Sequence, residues 1–251
     1  MNEQDAAVRL LWGPPARPTR GPKPALSLES IARAGVEIAD AEGLAAVSMQ
    51  RVAGLLAYTK MSLYRYVQGK AELIALMVEH TVGEPPPPSA APWRDQLTDW
   101  AHRMAALFAA HPWVLDALSG GPRLTGPREL AWLERVVAAL DGHGLSGAER
   151  MDAAVLLVGH VRTIAAQQRQ SREGSPEAEM LRALGGLVAS HAERYPALAA
   201  AMAEPGEGRD NAFDFGVERI LDGLAALIDR RKPLDRRKPL DNRKPLDNRA
   251  D

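Results

Sequence analysis

An all-α fold in two helical parts is what this sequence predicts, on three observations. Apolar residues recur three and four positions apart from Ile31 to Leu227, the period of helices with one buried face. No run of alternating β-branched residues competes with that period. Residues 48 to 70, SMQRVAGLLAYTKMSLYRYVQGK, set two short helical patterns on either side of a tight turn, the layout of a helix-turn-helix.

Residues 1 to 26 are expected to form a flexible arm. Pro14, Pro15, Pro18, Pro22 and Pro24 exclude a regular helix or strand, and Arg9, Arg17, Arg20 and Lys23 make the arm basic. Such an arm lies along a phosphate backbone, slips into a minor groove, or is a leader without a role. The first helix is predicted over Leu28 to Glu42, capped by Ser27 and stopped by Gly43, with Ile31, Ala34, Ile38 and Ala41 on its buried face. Ser48 then caps a second helix and Thr59 a third, each hydroxyl accepting an orphan backbone N–H. Val52, Leu56 and Leu63 close a small core there, and Ala53 is small enough for one helix to cross closely over the other. Lys60, Met61 and Ser62 occupy the first turn of the third helix, the part of a recognition helix that meets base edges. Tyr64, Arg65, Tyr66 and Lys70 follow as phosphate-binding groups. Gly69 precedes a fourth helix, on which Leu73, Leu76 and Met77 point one way.

These residues resemble the tetracycline repressor family of bacterial one-component regulators. The likeness spans residues 27 to 80 and is carried by LSLESIARAGVEIADAEGLAAVSMQRVA, TKMSLYRYV and GKAELIALMV, with SLYRYVQGKAEL its most specific stretch. The resemblance implies that Gln50, Lys60 and Met61 touch bases and that Ser48, Ser62, Tyr64, Tyr66 and Lys70 touch phosphates. Arg51 and Thr59, beside them, complete the candidate DNA-binding set. Two positions depart from the family pattern. Ala57 stands where glycine is common, so a left-handed backbone there is expected to be strained or absent, and Tyr58 stands where a small aliphatic residue is usual.

GEPPPP at residues 83 to 88 starts a Pro-rich linker, 83 to 91, between a head over 27 to 82 and an all-α domain over 92 to 230. Trp93, Leu97, Trp100, Met104 and Leu107 repeat as a helix that HPW at 111 to 113 breaks. Pro127 opens the next, with a seam of Leu130, Leu133, Val137 and Leu140. Ser146 and Glu149 make a capping box for a long helix to about Arg172. Ser175-Pro176 starts another, which Pro196 interrupts, and Phe213, Val217, Ile220, Leu224 and Leu227 mark the last. The long helix is apolar on nearly every side between Ala153 and Val161, so one face packs inward and another against something else. The resemblance implies a four-helix bundle between two subunits, hence a homodimer suited to a palindromic operator with half-sites about 34 to 36 Å apart. A monomeric core is the alternative.

Every tryptophan except Trp12 lies between residues 93 and 132. Core packing is their default role, yet Trp132 lies off the seam of its helix and is free to face a cavity. On the long apolar helix His160, Thr163 and Gln167 form a polar stripe, which a ligand, a neighbouring side chain or water has to satisfy. Trp100, Met104, Phe108, Trp113, Trp132, His160, Thr163 and Gln167 are therefore the candidate contacts of a small, largely apolar effector. The resemblance implies that such a molecule releases a repressor from double-stranded operator DNA.

The net charge of −1 is unevenly spread: residues 1 to 70 carry +3, residues 71 to 229 carry −9 and residues 230 to 251 carry +5. An acidic body with basic ends brings only its ends towards phosphate. The tail over 231 to 251 repeats RKPLDR, RKPLDN and RKPLDN, and its prolines predict disorder. Zero cysteines exclude disulfides and thiol chemistry. The longest apolar run, Ala153 to Gly159, is far below the roughly 20 residues of a membrane helix, so no membrane partner and a cytoplasmic location are expected. The six histidines show no HExxH spacing, and neither a phosphate loop nor a serine elbow occurs, so no metal, cofactor or enzymatic activity is expected. Two rival readings stand beside the regulator: a nonspecific architectural DNA-binding protein, and an all-helical enzyme or carrier with an incidental helix-turn-helix.

Overall fold

Chemically marked ends define the first helix, α1 (Leu28–Glu42). Ser27 Oγ accepts the Ser30 N–H, Ser30 Oγ accepts the Ser27 N–H, and Gly43, at φ 85°, turns its N–H back onto the Ala39 carbonyl. A 3-10 turn, α2 (Met49–Leu55), α3 (Lys60–Leu63) and α4 (Lys70–Val82) complete the head. The body holds α5 (Trp93–Ala110), α6 (Trp113–Ser119), α7 (Pro127–Ala139), α8 (Gly147–Gln170), α9 (Pro176–Ser190), α10 (Pro196–Ala203) and α11 (Ala212–Arg231). This computed structural model describes residues 8, 10–13, 26–120, 125–170, 176–204 and 211–231, and no strand occurs among them. In the body, α8 is the hub on which α5, α7 and α11 pack.

The buried face of α1 follows Ile31, Ala34, Gly35, Ile38 and Ala39; Ala41, expected inside, faces solvent. The reason is the crossing with α4, which runs along the i, i+4 row Ile31, Gly35 and Ala39. A Cβ on Gly35 would lie 2.6 Å from Met77 Sδ, so glycine sets how closely the two helices approach.

The turn between α2 and α3 keeps a left-handed residue although that residue is alanine. Ala57 has φ 58°, its N–H bonds the Gly54 carbonyl, and the Tyr58 N–H bonds the Ala53 carbonyl at 2.9 Å. These two bonds form a Schellman motif, which satisfies the last carbonyls of α2 and redirects the chain into α3. The left-handed turn is thus present, not absent, and Tyr58 fits it by turning its ring outward.

Four further expectations change. Residues 10–12 are helical, Leu11 is buried, and Trp12 Nε1 donates to the Thr125 carbonyl at 3.1 Å, so this stretch of the arm is docked on the body. It lies ahead of Pro14, where no ring blocks a helical turn. Arg9, Arg17, Arg20 and Lys23 of the basic arm, and the repeat from Lys232 onward, lie outside the described residues. Arg231, assigned to the tail, ends α11 instead and pairs with Glu149. On α7 the buried stripe is Trp132, Val136, Ala139 and Leu140, while Leu130 is exposed and Leu133 and Val137 are half-buried. The seam expected there is displaced because α7 packs against both α4 and α8. On α11, Leu221 and Ile228 are buried where Ile220 and Leu227 are half-buried.

Head and body are joined by side chains that cross between helix ends. Asp40 Oδ1, on α1, accepts from Trp113 Nε1 at 2.7 Å and faces His111 Nδ1 at 2.8 Å. Glu79, on α4, is buried, and its Oε1 accepts the Arg128 N–H at 2.8 Å in the first turn of α7. Burial pushes the Glu79 carboxyl above the ordinary carboxylate range, and the Glu129 charge adds to this, against the lowering effect of backbone N–H bonds and Arg128. Burial and Arg128, with Arg33 and against Glu29, hold nearby His80 below the usual imidazole value.

Two measurements follow. Ala57→Gly removes the left-handed penalty and should stabilise the chain by about 1 kcal/mol in denaturant unfolding. For Glu79 the sign runs from its raised carboxyl: the folded chain holds that proton more tightly than the unfolded one, so the contribution is present at low pH and lost as pH rises through the folded value. Relative to Glu79→Gln, the wild-type chain should therefore gain stability as pH falls from neutral towards the ordinary carboxyl range. Unfolding curves compared across that interval check it; a constant difference would contradict it.

Candidate nucleic-acid interface and effector cavity

The reading head is built on two hydroxyl caps. Ser48 Oγ accepts the Arg51 N–H at 3.2 Å and so starts α2; Thr59 Oγ1 accepts the Ser62 N–H at 3.3 Å and starts α3. Leu63 and Val67, fully buried, hold α3 against the core of Val52, Ala53 and the α1 face. What remains outward is the candidate set. Met61 is 73% exposed, which leaves this large apolar side chain without a core role at the front of α3. Lys60, Tyr64, Arg65, Tyr66, Gln50 and Lys70 are exposed, and Ser48 and Ser62 are half-buried. Lys60 Nζ lies 5.4 Å from the centroid of the Tyr64 ring, an intrahelical cation–π contact that holds both side chains over the same turn. Arg51 is placed differently. Its Nη1 donates to Glu42 Oε2 at 2.8 Å and its Nη2 pairs with Glu42 Oε1, so its fork is engaged at the end of α1.

The second site is a cavity of about 280 Å³ between α5, α7 and α8, with Val82, the last residue of α4, in its lining. Its walls are Trp100, Met104, Phe108 and Trp132, all buried side chains, with Leu133, Val158 and Val161. The Trp100 and Trp132 rings meet edge to face at 6.4 Å, and Trp100 Nε1 donates to the Trp132 carbonyl at 2.9 Å. Trp132 Nε1 in turn donates to the carbonyls of Val82 and Gly83, at 3.2 and 3.1 Å, where α4 ends. Charge enters through Glu129 and Arg162; the guanidinium donates to the Leu118 carbonyl at 3.2 Å.

Four of the eight residues named from the sequence, Trp100, Met104, Phe108 and Trp132, come together in this cavity. Trp113 is instead bound to Asp40 at the head–body junction. His160 stacks on Phe213 and shares a hydrogen bond of 3.0 Å with its carbonyl, so a neighbouring group satisfies it. Thr163 and Gln167 are exposed, on a side of α8 away from the buried Val161 and Ala165. The stripe fails because α8 turns its Val158, Val161 and Arg162 side to the cavity. Arg162, Glu129 and Glu79 were the residues missed. A lone arginine directly after the run Ala153 to Val161 was the one available signal, since a charge there needs a built environment.

A family model described as the tetracyclin repressor-like, C-terminal domain matches residues 85–228. Over 238 residues the chain is 39% identical to the HTH-type transcriptional repressor DrrR1 of Streptomyces coeruleorubidus, a match that covers 90% of this chain and 87% of that protein. The fold is similar to the crystal structure of apo ActR from Streptomyces coelicolor, with a TM-score of 0.71 and 27% identity over 83% of this chain and 99% of that one. ActR in complex with actinorhodin is likewise similar, with a TM-score of 0.69 and 29% identity over 80% and 96% of the two chains. With a matching body domain and a relative this similar along almost its whole length, the chain belongs to the tetracycline repressor family of transcriptional regulators.

Proposed function

We propose that this regulator is a dimeric repressor which binds a palindromic operator through α3 and releases it when a flat, largely apolar aromatic molecule enters the cavity between α5, α7 and α8. The observation that carries the reading is Trp132: one side chain is both a wall of the cavity and the hydrogen-bond partner of the carbonyls at the end of α4, the last helix of the head. Whatever displaces that indole acts on the helix that orients α3. Two tryptophans, Phe108 and Met104 suit a planar ring system, while at its edge Arg162 suits an acceptor oxygen and Glu129 a hydroxyl donor. The complex of ActR with actinorhodin, at 29% identity, supports a ligand of this kind.

In this reading Gln50, Lys60 and Met61 meet base edges, and Ser48, Ser62, Tyr64, Tyr66 and Lys70 meet phosphates, with Thr59 as the cap that aims them. Arg51 reaches DNA only if it leaves Glu42. The dimer forms on the apolar outer face of α8, where Met151, Val155 and Leu156 are exposed opposite the buried Ala154, Leu157 and Val161, and Phe215 is exposed on α11. A second copy of the chain covers that face. The regulator works without catalysis, in the compartment that holds the chromosome.

Selecting bound fragments from a genomic DNA pool should return a palindrome with half-sites about one helical turn apart. Titrating that complex with anthraquinone-2-carboxylate should lower operator affinity about 5 to 150-fold; indifference of the DNA affinity to every aromatic acid that binds the cavity would sink the reading. Lys60→Ala should cost about 1–3 kcal/mol and relax base preference at one position in each half-site. A uniform loss across sequences with a salt slope lower by about one would assign Lys60 to phosphate instead.

A further inference from the structure

The reading of the cavity as an effector site leaves one feature unused, the carboxylate of Glu79, and the inference below rests on that reading. Glu79 is 6% exposed and sits on α4, where the head runs into the body. Its Oε1 accepts the N–H of Arg128, the second residue of α7, while Glu129 Oε1 takes the Gly126 N–H at 3.4 Å. An acceptor for the first turn of α7 is therefore supplied by a different helix. Arg128 reaches back, with Nη1 to the Glu79 carbonyl at 3.3 Å and Nε to Glu84 at 3.1 Å. One turn further along, Trp132 Nε1 donates to the last carbonyls of α4. Each helix thus satisfies an otherwise unpaired end of the other.

Gly126 shows that the arrangement is shaped around the carboxylate. Its φ of −84° is open to any residue, yet a Cβ there would lie 2.0 Å from Glu79 Oε2. That same Oε2 is buried with no hydrogen-bond partner. An unpaired buried oxygen costs stability, so its presence is explained by position rather than by strength.

We propose that Glu79 is a positioning residue for effector response: by capping α7 from α4, it makes the cavity wall and the reading head move as one body. Trp132 transmits displacement only because α7 cannot slide or rotate against α4 at its other contact.

The test uses the full chain, its selected operator and anthraquinone-2-carboxylate, and reads the factor by which the probe lowers operator affinity. In Glu79→Ala and in Gly126→Ala that factor should fall at least about fivefold towards one, while the affinity of the probe itself shifts by less than about threefold; a merely structural role would move both together. Glu79→Gln keeps an oxygen for the Arg128 N–H and should retain most of the response. Gly126→Ala added to Glu79→Ala should change nothing more, because the methyl has no carboxylate left to displace. If a variant fails to fold, Glu79→Asp, which withdraws the oxygen by one methylene, carries the same expectation. An unchanged factor in the folded variants, or additive losses in the double variant, overturns the proposal while leaving the effector reading intact. A wild-type factor of one overturns both.

Discussion

The exchange of hydrogen bonds between the end of α4 and the start of α7 is the constraint on which the rest of this molecule depends. Helix ends carry unpaired N–H and carbonyl groups, and burying them without partners is costly. Here the two buried ends are placed against each other, with Glu79 serving the Arg128 N–H of α7 and the Trp132 indole serving the carbonyls of α4. The second clasp, Asp40 with His111 and Trp113, ties α1 to the break between α5 and α6. Two points of attachment on different helices restrict rotation of the head in a way that one point cannot. The orientation of α3 is therefore a property of the body as much as of the head.

The head itself is economical. Its core is a few side chains from α1 to α4, and its exposed groups are held by short-range devices: two hydroxyl caps, a Schellman turn and a lysine resting on a tyrosine ring. The turn tolerates alanine because hydrogen bonds from both Ala57 and Tyr58 close it, and these offset a left-handed penalty of about 1–2 kcal/mol. Charge is divided accordingly. The basic surplus lies at the two ends of the chain, residues 1 to 70 and 230 to 251, and the acidic surplus in residues 71 to 229 between them.

Much of this was legible in the sequence. Caps at Ser27, Ser48, Thr59 and Ser146, stops at Gly43 and the break at His111-Pro112 are local chemistry, and the structure places helix ends at each. The aromatic cluster of Trp100, Met104, Phe108 and Trp132 was also readable, because large apolar groups concentrated on neighbouring helices have to meet. The polar stripe of His160, Thr163 and Gln167 left its partner open for a definite reason. Helical spacing says that three residues share a face; it does not say which neighbour that face meets, and His160 meets Phe213 while Thr163 and Gln167 lie exposed, outside the cavity lining.

By itself, then, the order of residues determined most of the helices with their caps and stops, the helix-turn-helix and the segregation of charge, since each depends on side chains within a turn or two of one another or on composition alone. Only the tertiary structure decided that Glu79 caps a helix 49 residues away, that Trp132 joins the cavity to α4, and that Leu11 and Trp12 dock on the body. Those contacts join positions far apart in the chain, where no local period or motif records which surfaces meet; packing density and the need to satisfy buried helix ends choose among them.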